Sequence, residues 1–366
     1  MDWNEVNWSV LDRLREGFLS GRAAQGPYWT SAEDLANYDF TYAERIGWKW
    51  DHVLRELALR GWRPATRTVL DWGCGSGVAG RRVVSAFGAG QFDRLTLWDH
   101  SPVACDFAAE AASAAFPGLD IRQATPGFFA SGERIGLLLL SHVLNELSPA
   151  AQQDLRALAA RADAILWVEP GTHAVSRQLG TFREQLRASG FRVLAPCTHE
   201  NECPMFALGR ERDWCHFFAP PPSEIFANSD WVKFGQRAGI DLRSLPYAFL
   251  ALDRTQTPEV PPMSDPARTL SPDGDDLSRV IGRVEHFKPY ARLLNCDAAG
   301  LTDLELPKRA NPALFKELER TRQPLVYRWV RDERKIAEGK PAQAQPPTAN
   351  PTSNIQRPTS NVQHRT

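Results

Sequence analysis

The stretch Val69-Leu70-Asp71-Trp72-Gly73-Cys74-Gly75-Ser76-Gly77 decides the fold. An apolar run that ends in an acid meets three alternating glycines, and an Ala/Arg-rich helical pattern follows. Glycines are needed where a strand turns sharply into a helix and a ligand comes close to bare backbone. Apolar strands alternate with helices up to about residue 191, which is typical of a parallel sheet covered on both faces. The sequence therefore predicts an α/β fold with a doubly wound sheet.

The glycine turn is compatible with two kinds of cofactor. Residues 75–80 satisfy G-x-G-x-x-G, a pattern of dinucleotide-binding folds that is weak evidence alone. Asp71 favours S-adenosylmethionine, because a carboxylate suits a cationic amino-acid moiety and would repel a pyrophosphate. The next strand ends in Asp99, which suits the two hydroxyls of a ribose. We therefore favour S-adenosylmethionine over a dinucleotide.

The pattern D-x-G-x-G-x-G, with an acid at the end of the next strand, resembles class I methyltransferases. The resemblance implies their Rossmann-like fold and a cofactor site made of Asp71, Gly73, Gly75, Gly77, Asp99 and Ser141. His142 is a candidate general base, but strand-end histidines more often bond a neighbouring carbonyl. The strand end lacks the Asn/Asp-Pro-Pro-aromatic motif that holds an exocyclic amine, and no strand-end Pro-Cys signature is present. The catalytic residues therefore stay unknown.

Composition restricts partners and location. The chain of 366 residues has 43 Lys and Arg against 44 Asp and Glu, so bulk charge does not hold it to nucleic acid or to an anionic membrane. It has no run of about 18 uncharged apolar residues, and its first residues lack a signal or transit composition. We expect a cytoplasmic monomer without a membrane partner.

Five segments differ in texture. The aromatic-rich beginning suggests packed helices, with a lid over a neighbouring pocket as the alternative. The end is rich in Pro, Gln, Asn, Ser and Thr, which bury too little apolar area to offset the entropy of ordering. The predicted organisation is an N-terminal helical region at 1–64, a methyltransferase-like domain at 65–254 with a cysteine loop at 196–216, a linker at 255–276, a β-rich C-terminal region at 277–338 and a disordered tail at 339–366.

Six cysteines in a reducing compartment are expected to be thiols or metal ligands. Cys74 and Cys105 fall in the glycine turn and the helix after the second strand, and we interpret them as ordinary semi-buried thiols. Three of the others share a loop segment that a metal would order. Their C-x5-C-x11-C spacing is not that of a zinc finger, whereas a Cys-Pro step is found beside iron–sulfur ligands. A metal or cluster site, isolated thiols, and a zinc site that includes His199 or His216 all stay open. The four candidates are Cys197, Cys203, Cys215 and Cys296.

Several motifs occur together: D-W-G-C-G-S-G at 71–77, S-H-V-L-N-E-L at 141–147, V-E-P-G-T at 168–172, A-P-C-x5-C-P at 195–204, D-W-C-H-F at 213–217, and Cys296 shortly before Gly300. This combination resembles the methyltransferase-like assembly factors of the mitochondrial small ribosomal subunit and their bacterial relatives, over about residues 40–305.

The resemblance implies a structural [4Fe–4S] cluster on Cys197, Cys203, Cys215 and Cys296, and association with small-subunit ribosomal RNA. It leaves open whether the protein methylates ribosomal RNA or is a non-catalytic assembly factor that retains the cofactor pocket. A small-molecule methyltransferase is a further alternative.

The C-terminal region carries excess positive charge. From Arg279 to Lys340 there are fourteen Lys and Arg and nine Asp and Glu, a net charge of +5. Arg279, Arg283, Lys288 and Arg292 alternate with apolar and aromatic residues, which suits phosphate contact and base stacking. A solvated β face with a charged helix near 331–335 explains the charges equally well, and the resemblance favours RNA.

Overall fold

The computed structural model describes residues 1–20, 29–255 and 277–342. Residues 256–276 of the predicted linker and 343–366 of the predicted tail lie outside the described residues. Within the described ranges, no helix has the length and apolar character needed to cross a membrane.

Helices and strands alternate through most of the chain. The helices are α1 (Trp8–Leu19), α2 (Ala32–Tyr38), α3 (Glu44–Leu59), α4 (Val78–Phe87), α5 (Pro102–Ala115), α6 (Pro126–Ala130), α7 (Pro149–Ala159), α8 (His173–Ala188), α9 (Ser229–Ala238) and α10 (Pro312–Arg320). The strands are β1 (Thr68–Trp72), β2 (Arg94–Trp98), β3 (Asp120–Gln123), β4 (Ile135–Ser141), β5 (Ala162–Pro170), β6 (Arg192–Ala195), β7 (Phe217–Ala219), β8 (Leu245–Asp253), β9 (Leu277–His286), β10 (Tyr290–Asp297), β11 (Gly300–Pro307), β12 (Val326–Asp332) and β13 (Lys335–Pro341).

The first eight strands form one sheet in the order β3-β2-β1-β4-β5-β8-β6, with β7 paired to β8. Strands β1 to β5 are parallel, and β8 runs antiparallel to β5, β6 and β7. The central strand β4 is apolar and buried from Ile135 to Leu140, as expected of a strand covered on both faces. The predicted doubly wound α/β fold is confirmed.

The N-terminal region adds a long bent helix to this sheet. A π-helical turn (Asp39–Ala43) joins α2 directly to α3. Ser31 begins the helix by accepting a hydrogen bond from the Asp34 backbone N–H at 3.2 Å. Buried aromatic residues of α3, including Trp48 and Trp50, belong to the same apolar core as β1 and β2. The N-terminal helices are therefore part of the sheet's own core.

The C-terminal region is a closed five-stranded barrel in the order β10-β11-β13-β12-β9. Helix α10 lies between β11 and β12 in the chain. Its core contains Leu293, Leu304 and the stacked rings of Tyr327 and Trp329. A closed barrel of five mostly antiparallel strands resembles the oligonucleotide-binding OB-fold. The alternative prediction of a charged helix near 331–335 is wrong. These residues form the β12–β13 hairpin around Glu333, whose φ is 47°.

The barrel is joined to the sheet domain by buried contacts. The Gly282 N–H donates to the His216 carbonyl at 2.8 Å, and Ile281 lies in the core that contains β1 and β2. Arg279 was expected on an RNA-facing stripe, but it is 2% exposed and pairs with Glu56 of α3 at 2.9 Å. Strand β13 also extends through Gly339–Pro341, residues that the sequence analysis placed in the tail.

Candidate functional site

A cavity of about 480 Å³ opens at the carboxyl ends of β1, β2 and β4, where ligands bind in open α/β sheets. The N-terminal helices form its opposite wall. Its lining is Phe18, Trp29, Tyr38, Tyr42, Arg45, Ile46, Lys49, Trp72, Gly73, Cys74, Gly75, Ser76, Val78, Trp98, Asp99, His100, Ser141, His142, Val143, Asn145, Glu146, Leu147 and Ala151. The N-terminal region therefore combines the two alternatives drawn from the sequence. It consists of packed helices, and these helices also cover the neighbouring cavity.

The glycines of the turn are needed for different reasons. Gly73 has a φ of 69°, and a Cβ there would lie 2.8 Å from Val143 Cγ1. At Gly77, with a φ of 79°, a Cβ would lie 2.9 Å from the Cβ of Ala108 on α5. Gly75, with a φ of 51°, has open space beside it and faces the cavity. Gly77 therefore permits the packing of two helices, whereas Gly75 leaves room for a ligand.

Asp99 is held in a fixed orientation on the cavity wall. One of its carboxylate oxygens accepts from the Gly75 N–H at 3.0 Å, and the other accepts from the Ser101 N–H at 2.9 Å. Its own N–H donates to Cys105 Sγ at 3.1 Å. Its side chain is only 6% exposed, yet it lines the cavity. The carboxylate is thus fixed where an incoming hydroxyl donor would meet it.

Asp71 lies beneath the cavity and not on its wall. It is fully buried, and one carboxylate oxygen accepts from the Gly80 N–H at 2.9 Å. Burial raises the pKa of Asp71 to about 7, although the hydrogen bond from Gly80 opposes the shift. Asp71 therefore shapes the turn from below, and Gly77 is likewise absent from the lining.

The end of β4 places two side chains at the cavity, and both have partners. The Ser141 hydroxyl accepts from Trp50 Nε1 at 3.0 Å. His142 has a φ of 59°, and its Nε2 lies 3.4 Å from Lys49 Nζ. Burial and the nearby cations Lys49 and Arg45 hold the pKa of His142 well below its usual range. His142 is therefore neutral at pH 7, whereas sequence reasoning expected a bond to a carbonyl.

Two cationic side chains lie on the opposite wall and were not predicted from the sequence. Arg45 and Lys49, four residues apart on α3, both line the cavity. Burial, together with the charge of Arg45, lowers the pKa of Lys49 to about 7. Arg45 Nε is buried and has no hydrogen-bond partner among the described residues. The helical spacing of Tyr38, Tyr42, Arg45 and Lys49 was the available signal, but the π-helical turn between them was not foreseeable.

The structure brings the four candidate cysteines together. Burial raises the pKa of Cys215, and so do the neighbouring Cys197, Cys203 and Cys296. Burial followed by Cys197 and Cys203 raises the pKa of Cys296, and burial followed by Cys197 raises that of Cys203 to about 11. Each of the six possible pairs thus interacts electrostatically. Cys74 and Cys105 belong to a separate pair at the glycine turn.

Three arginines order the cysteine loop by binding its backbone carbonyls. Arg60 donates to the carbonyls of 194, 196 and 197 at 2.7–2.9 Å. Arg177 donates to those of 205, 210 and 213 at 2.9–3.2 Å. Arg183 is 3% exposed and donates to the Asn201 carbonyl at 2.9 Å and to Cys197 Sγ at 3.3 Å. The protein itself therefore supplies much of the order that sequence reasoning attributed to a metal.

The two histidines considered for a zinc site differ in position. His199 is buried, and its Nε2 lies 3.7 Å from Cys296 Sγ. Burial, with the nearby Arg183 adding to it, lowers the pKa of His199 to about 4. His216 instead stacks on Trp214, with ring centroids 4.5 Å apart. In the described part of the chain, no group of three or more His, Cys, Asp or Glu side chains is arranged to hold a metal ion.

The sheet order and the cavity beyond the glycine turn define a Rossmann-like protein of the methyltransferase type. The family model described as mitochondrial small ribosomal subunit Rsm22 matches residues 51–238, slightly more than half of the chain, and the chain belongs to this family. No curated protein matches the chain.

Solved structures of methyltransferases are similar at low identity. Magnesium protoporphyrin IX methyltransferase from Synechocystis, with S-adenosylhomocysteine bound, is 15% identical over 66% of this chain and 94% of that chain, with a TM-score of 0.36. A methyltransferase from Thiobacillus denitrificans is 18% identical over 55% of this chain and 90% of that chain, with a TM-score of 0.30. Ribosomal protein L11 methylase from Lactobacillus delbrueckii is 14% identical over 56% and 80%, also with a TM-score of 0.30. The fold assignment rests on the strand order and not on these scores.

Proposed function

We propose that the protein binds S-adenosylmethionine in the cavity and acts on the small ribosomal subunit, with ribosomal RNA as the methyl acceptor. The observation that carries the proposal is the Asp99 carboxylate, fixed on the cavity wall by the Gly75 and Ser101 N–H groups. A buried carboxylate in that place is suited to a ribose diol. Membership in the Rsm22 family supports the ribosomal target.

The residues of the cavity fit both ends of this cofactor. Asp99 would accept from the ribose hydroxyls, and Gly75 leaves space for close approach of the ligand. Arg45 and Lys49 would bind the carboxylate of the methionine moiety, because both line the cavity and Arg45 Nε is buried there without a hydrogen-bond partner among the described residues. The cofactor supplies an activated methyl group, so the protein needs mainly to position a nucleophile in line with it and exclude water.

A non-catalytic assembly factor is the second candidate, and the end of β4 favours it. The Ser141 hydroxyl is bonded to Trp50, and the Nε2 of His142 faces the Lys49 ammonium at 3.4 Å. A general base must reach the proton it abstracts, and neither group is free to do so in this arrangement. In this second function, the cofactor would stabilise a conformation that binds the ribosomal subunit.

Transfer of labelled methyl groups to immature small subunits separates the two functions. An enzyme incorporates label into ribosomal RNA, and Asp99→Ala abolishes incorporation. An assembly factor sediments with the subunits but incorporates nothing. Turnover of label without RNA would instead identify a small-molecule methyltransferase. Absence of both incorporation and sedimentation would refute a function on the small subunit.

We further infer that Cys197, Cys203, Cys215 and Cys296 hold a [4Fe–4S] cluster. The chemistry of the donor set supports this: four soft sulfur ligands interact electrostatically in one region, and Arg183 donates an N–H to one sulfur, as groups around iron–sulfur clusters commonly do. Because the described side chains are not already arranged around a metal ion, binding of the cluster would draw the sulfurs closer together. Zinc is the alternative, and the contact between His199 and Cys296 favours it. The bound cluster would link the loop to the barrel through Cys296.

A further inference from the structure

A second cleft lies between the barrel and the sheet domain, and it shares no lining residue with the cofactor cavity. It has a volume of about 260 Å³ and is bordered by β7, by β9 and by the segment after α10. One acidic side chain, Glu319, lines it. Four arginines line it as well: Arg243, Arg279, Arg283 and Arg322.

The floor of the cleft contains a buried guanidinium with unused donors. Arg279 stacks on Phe217 at 4.0 Å, and its Nη2 lies 2.9 Å from the Glu56 carboxylate. Its Nε and Nη1 are buried and have no hydrogen-bond partner among the described residues. Glu56 also pairs with Arg60 at 2.7 Å, so one buried carboxylate serves two guanidiniums. A buried positive charge is left over, and this is costly unless an anion compensates it.

The rim of the cleft adds guanidinium groups from farther along β9, the strand that carries Arg279, and from the segment after α10. Arg283 on β9 stacks on Phe218 at 4.2 Å and donates to the Ser244 hydroxyl at 2.6 Å, so its guanidinium is held in place. Arg322, beyond the end of α10, is exposed and lines the same cleft. His286 Nε2 is buried without a hydrogen-bond partner in the described part of the chain. Guanidinium groups from β9 and from the segment after α10 thus converge on the cleft.

A neighbouring cleft extends this surface. It has a volume of about 460 Å³ and shares His52, Pro220, Arg322 and Gln323 with the first cleft. Arg55 lines it, as do the acidic side chains of Asp51 and Glu224, of which Asp51 pairs with Arg82 at 3.2 Å. The two clefts therefore meet at Arg322. Spaced cations along a groove match the repeated phosphates of a nucleic-acid strand, whereas an isolated pocket would match only one anion.

We propose that this interdomain cleft binds the phosphodiester backbone of single-stranded RNA. The inference rests on the proposed function, since it identifies the surface by which the protein contacts the RNA of the small subunit. Guanidinium groups match phosphate oxygens in geometry and charge, and Nε and Nη1 of Arg279, at the floor of the cleft, have no hydrogen-bond partner among the described residues. The OB-like form of the barrel is consistent with this ligand.

Binding of a labelled oligouridine of about 12 nucleotides, which is unstructured and within the usual range of site sizes, tests the proposal. The full-length protein is used, with its melting temperature and S-adenosylmethionine affinity as controls for folding. Arg283→Glu and Arg322→Glu should each weaken RNA binding at least about tenfold. The dependence of log affinity on log salt should become less steep by about 0.7 for each phosphate that the variant no longer neutralises. The matched control is Arg309→Glu, an exposed arginine before α10, which should change affinity less than about twofold.

Three outcomes would overturn the proposal. Unchanged RNA affinity in both cleft variants would show that the cleft is not the site. An equal loss in the Arg309 control would show that RNA responds to overall charge. If the cleft variants bind the oligouridine normally but no longer sediment with small subunits, the ligand of the cleft is an acidic protein segment. If the wild-type protein binds the oligouridine through the cleft but never sediments with small subunits, the proposed function fails and the RNA site stands.

Discussion

The glycine turn and the cysteine loop are both candidate ligand sites, and they are built in opposite ways. The glycine turn comes from one contiguous stretch, and its hydrogen bonds to Asp99 are complete without a ligand. The four cysteines come from two separate segments, the cysteine loop and β10, and burial raises the pKa of Cys203, Cys215 and Cys296. The first site is preformed. In the second, the raised pKa values of these three thiols mean that a metal must displace their protons to bind, so ligand and structure are more strongly coupled there.

Substitution of a cysteine ligand should have the largest effect on stability. Cys215→Ser removes one of four interacting thiols, so we expect loss of the bound metal and a fall in the free energy of unfolding of at least about 4 kcal/mol, in the range of exceptional substitutions. Denaturant unfolding under anaerobic conditions measures it. Cys74→Ser is the matched control, since Cys74 is a buried thiol outside the group, and it should keep the metal. If Cys215→Ser and Cys74→Ser lost metal and stability equally, the distinction between the cysteine loop and the glycine turn would be wrong.

Removal of the Asp99 carboxylate should affect binding more than folding. Asp99→Ala should weaken S-adenosylmethionine binding about 100-fold, or about 2.7 kcal/mol, because hydrogen bonds to a charged group are removed. Titration calorimetry measures the affinity. Asp106→Ala, which removes an exposed carboxylate on α5, should bind normally. Normal binding by Asp99→Ala would place the ribose elsewhere.

The two glycines that differ in surroundings should respond differently. Gly77→Ala should lower the free energy of unfolding by about 2–3 kcal/mol, because it adds a clash with Ala108 to the strain of a left-handed backbone. Gly75→Ala has open space and should cost only the strain, about 1–2 kcal/mol, while weakening cofactor binding. Thermal unfolding and titration of both variants test this. The same stability loss in both would contradict the assignment of Gly77 to helix packing.

The effect expected from Asp71 depends on pH. The folded protein keeps the Asp71 proton up to a pH of about 7, whereas the unfolded chain releases it near 3.8. The stability that the protonated carboxyl contributes is therefore complete at low pH and is lost as the pH rises towards 7. Asp71→Asn cannot ionise, so its stability relative to the wild type should rise by about 2 kcal/mol between pH 5 and pH 7.5. Parallel stability curves would show that Asp71 is ionised in the folded state.

The same difference explains how much the sequence could predict. The strand, acid and glycines of the turn are adjacent in the chain, and the alternating pattern around them predicted the sheet correctly. Lys49 lies at the cavity because a π-helical turn precedes α3, and no pattern of residues predicts that turn. Asp71 was expected on the cavity wall, because a sequence shows an acid before glycines but not its depth. Cys296 was grouped with the other three candidate ligands from the sequence, but its distance along the chain made the spacing weak evidence, because it lies on another domain. The pairing of Arg279 with Glu56 could not be predicted, because it depends on how the barrel packs against the sheet domain.

The metal content of the anaerobically purified protein tests the central claim most directly, namely that the four cysteines form one site for an iron–sulfur cluster. We expect a brown protein with a broad visible absorption band and about four irons and four sulfides per chain, lost in Cys215→Ser and kept in Cys74→Ser. A colourless protein with one zinc per chain, or iron that survives Cys215→Ser, would contradict it.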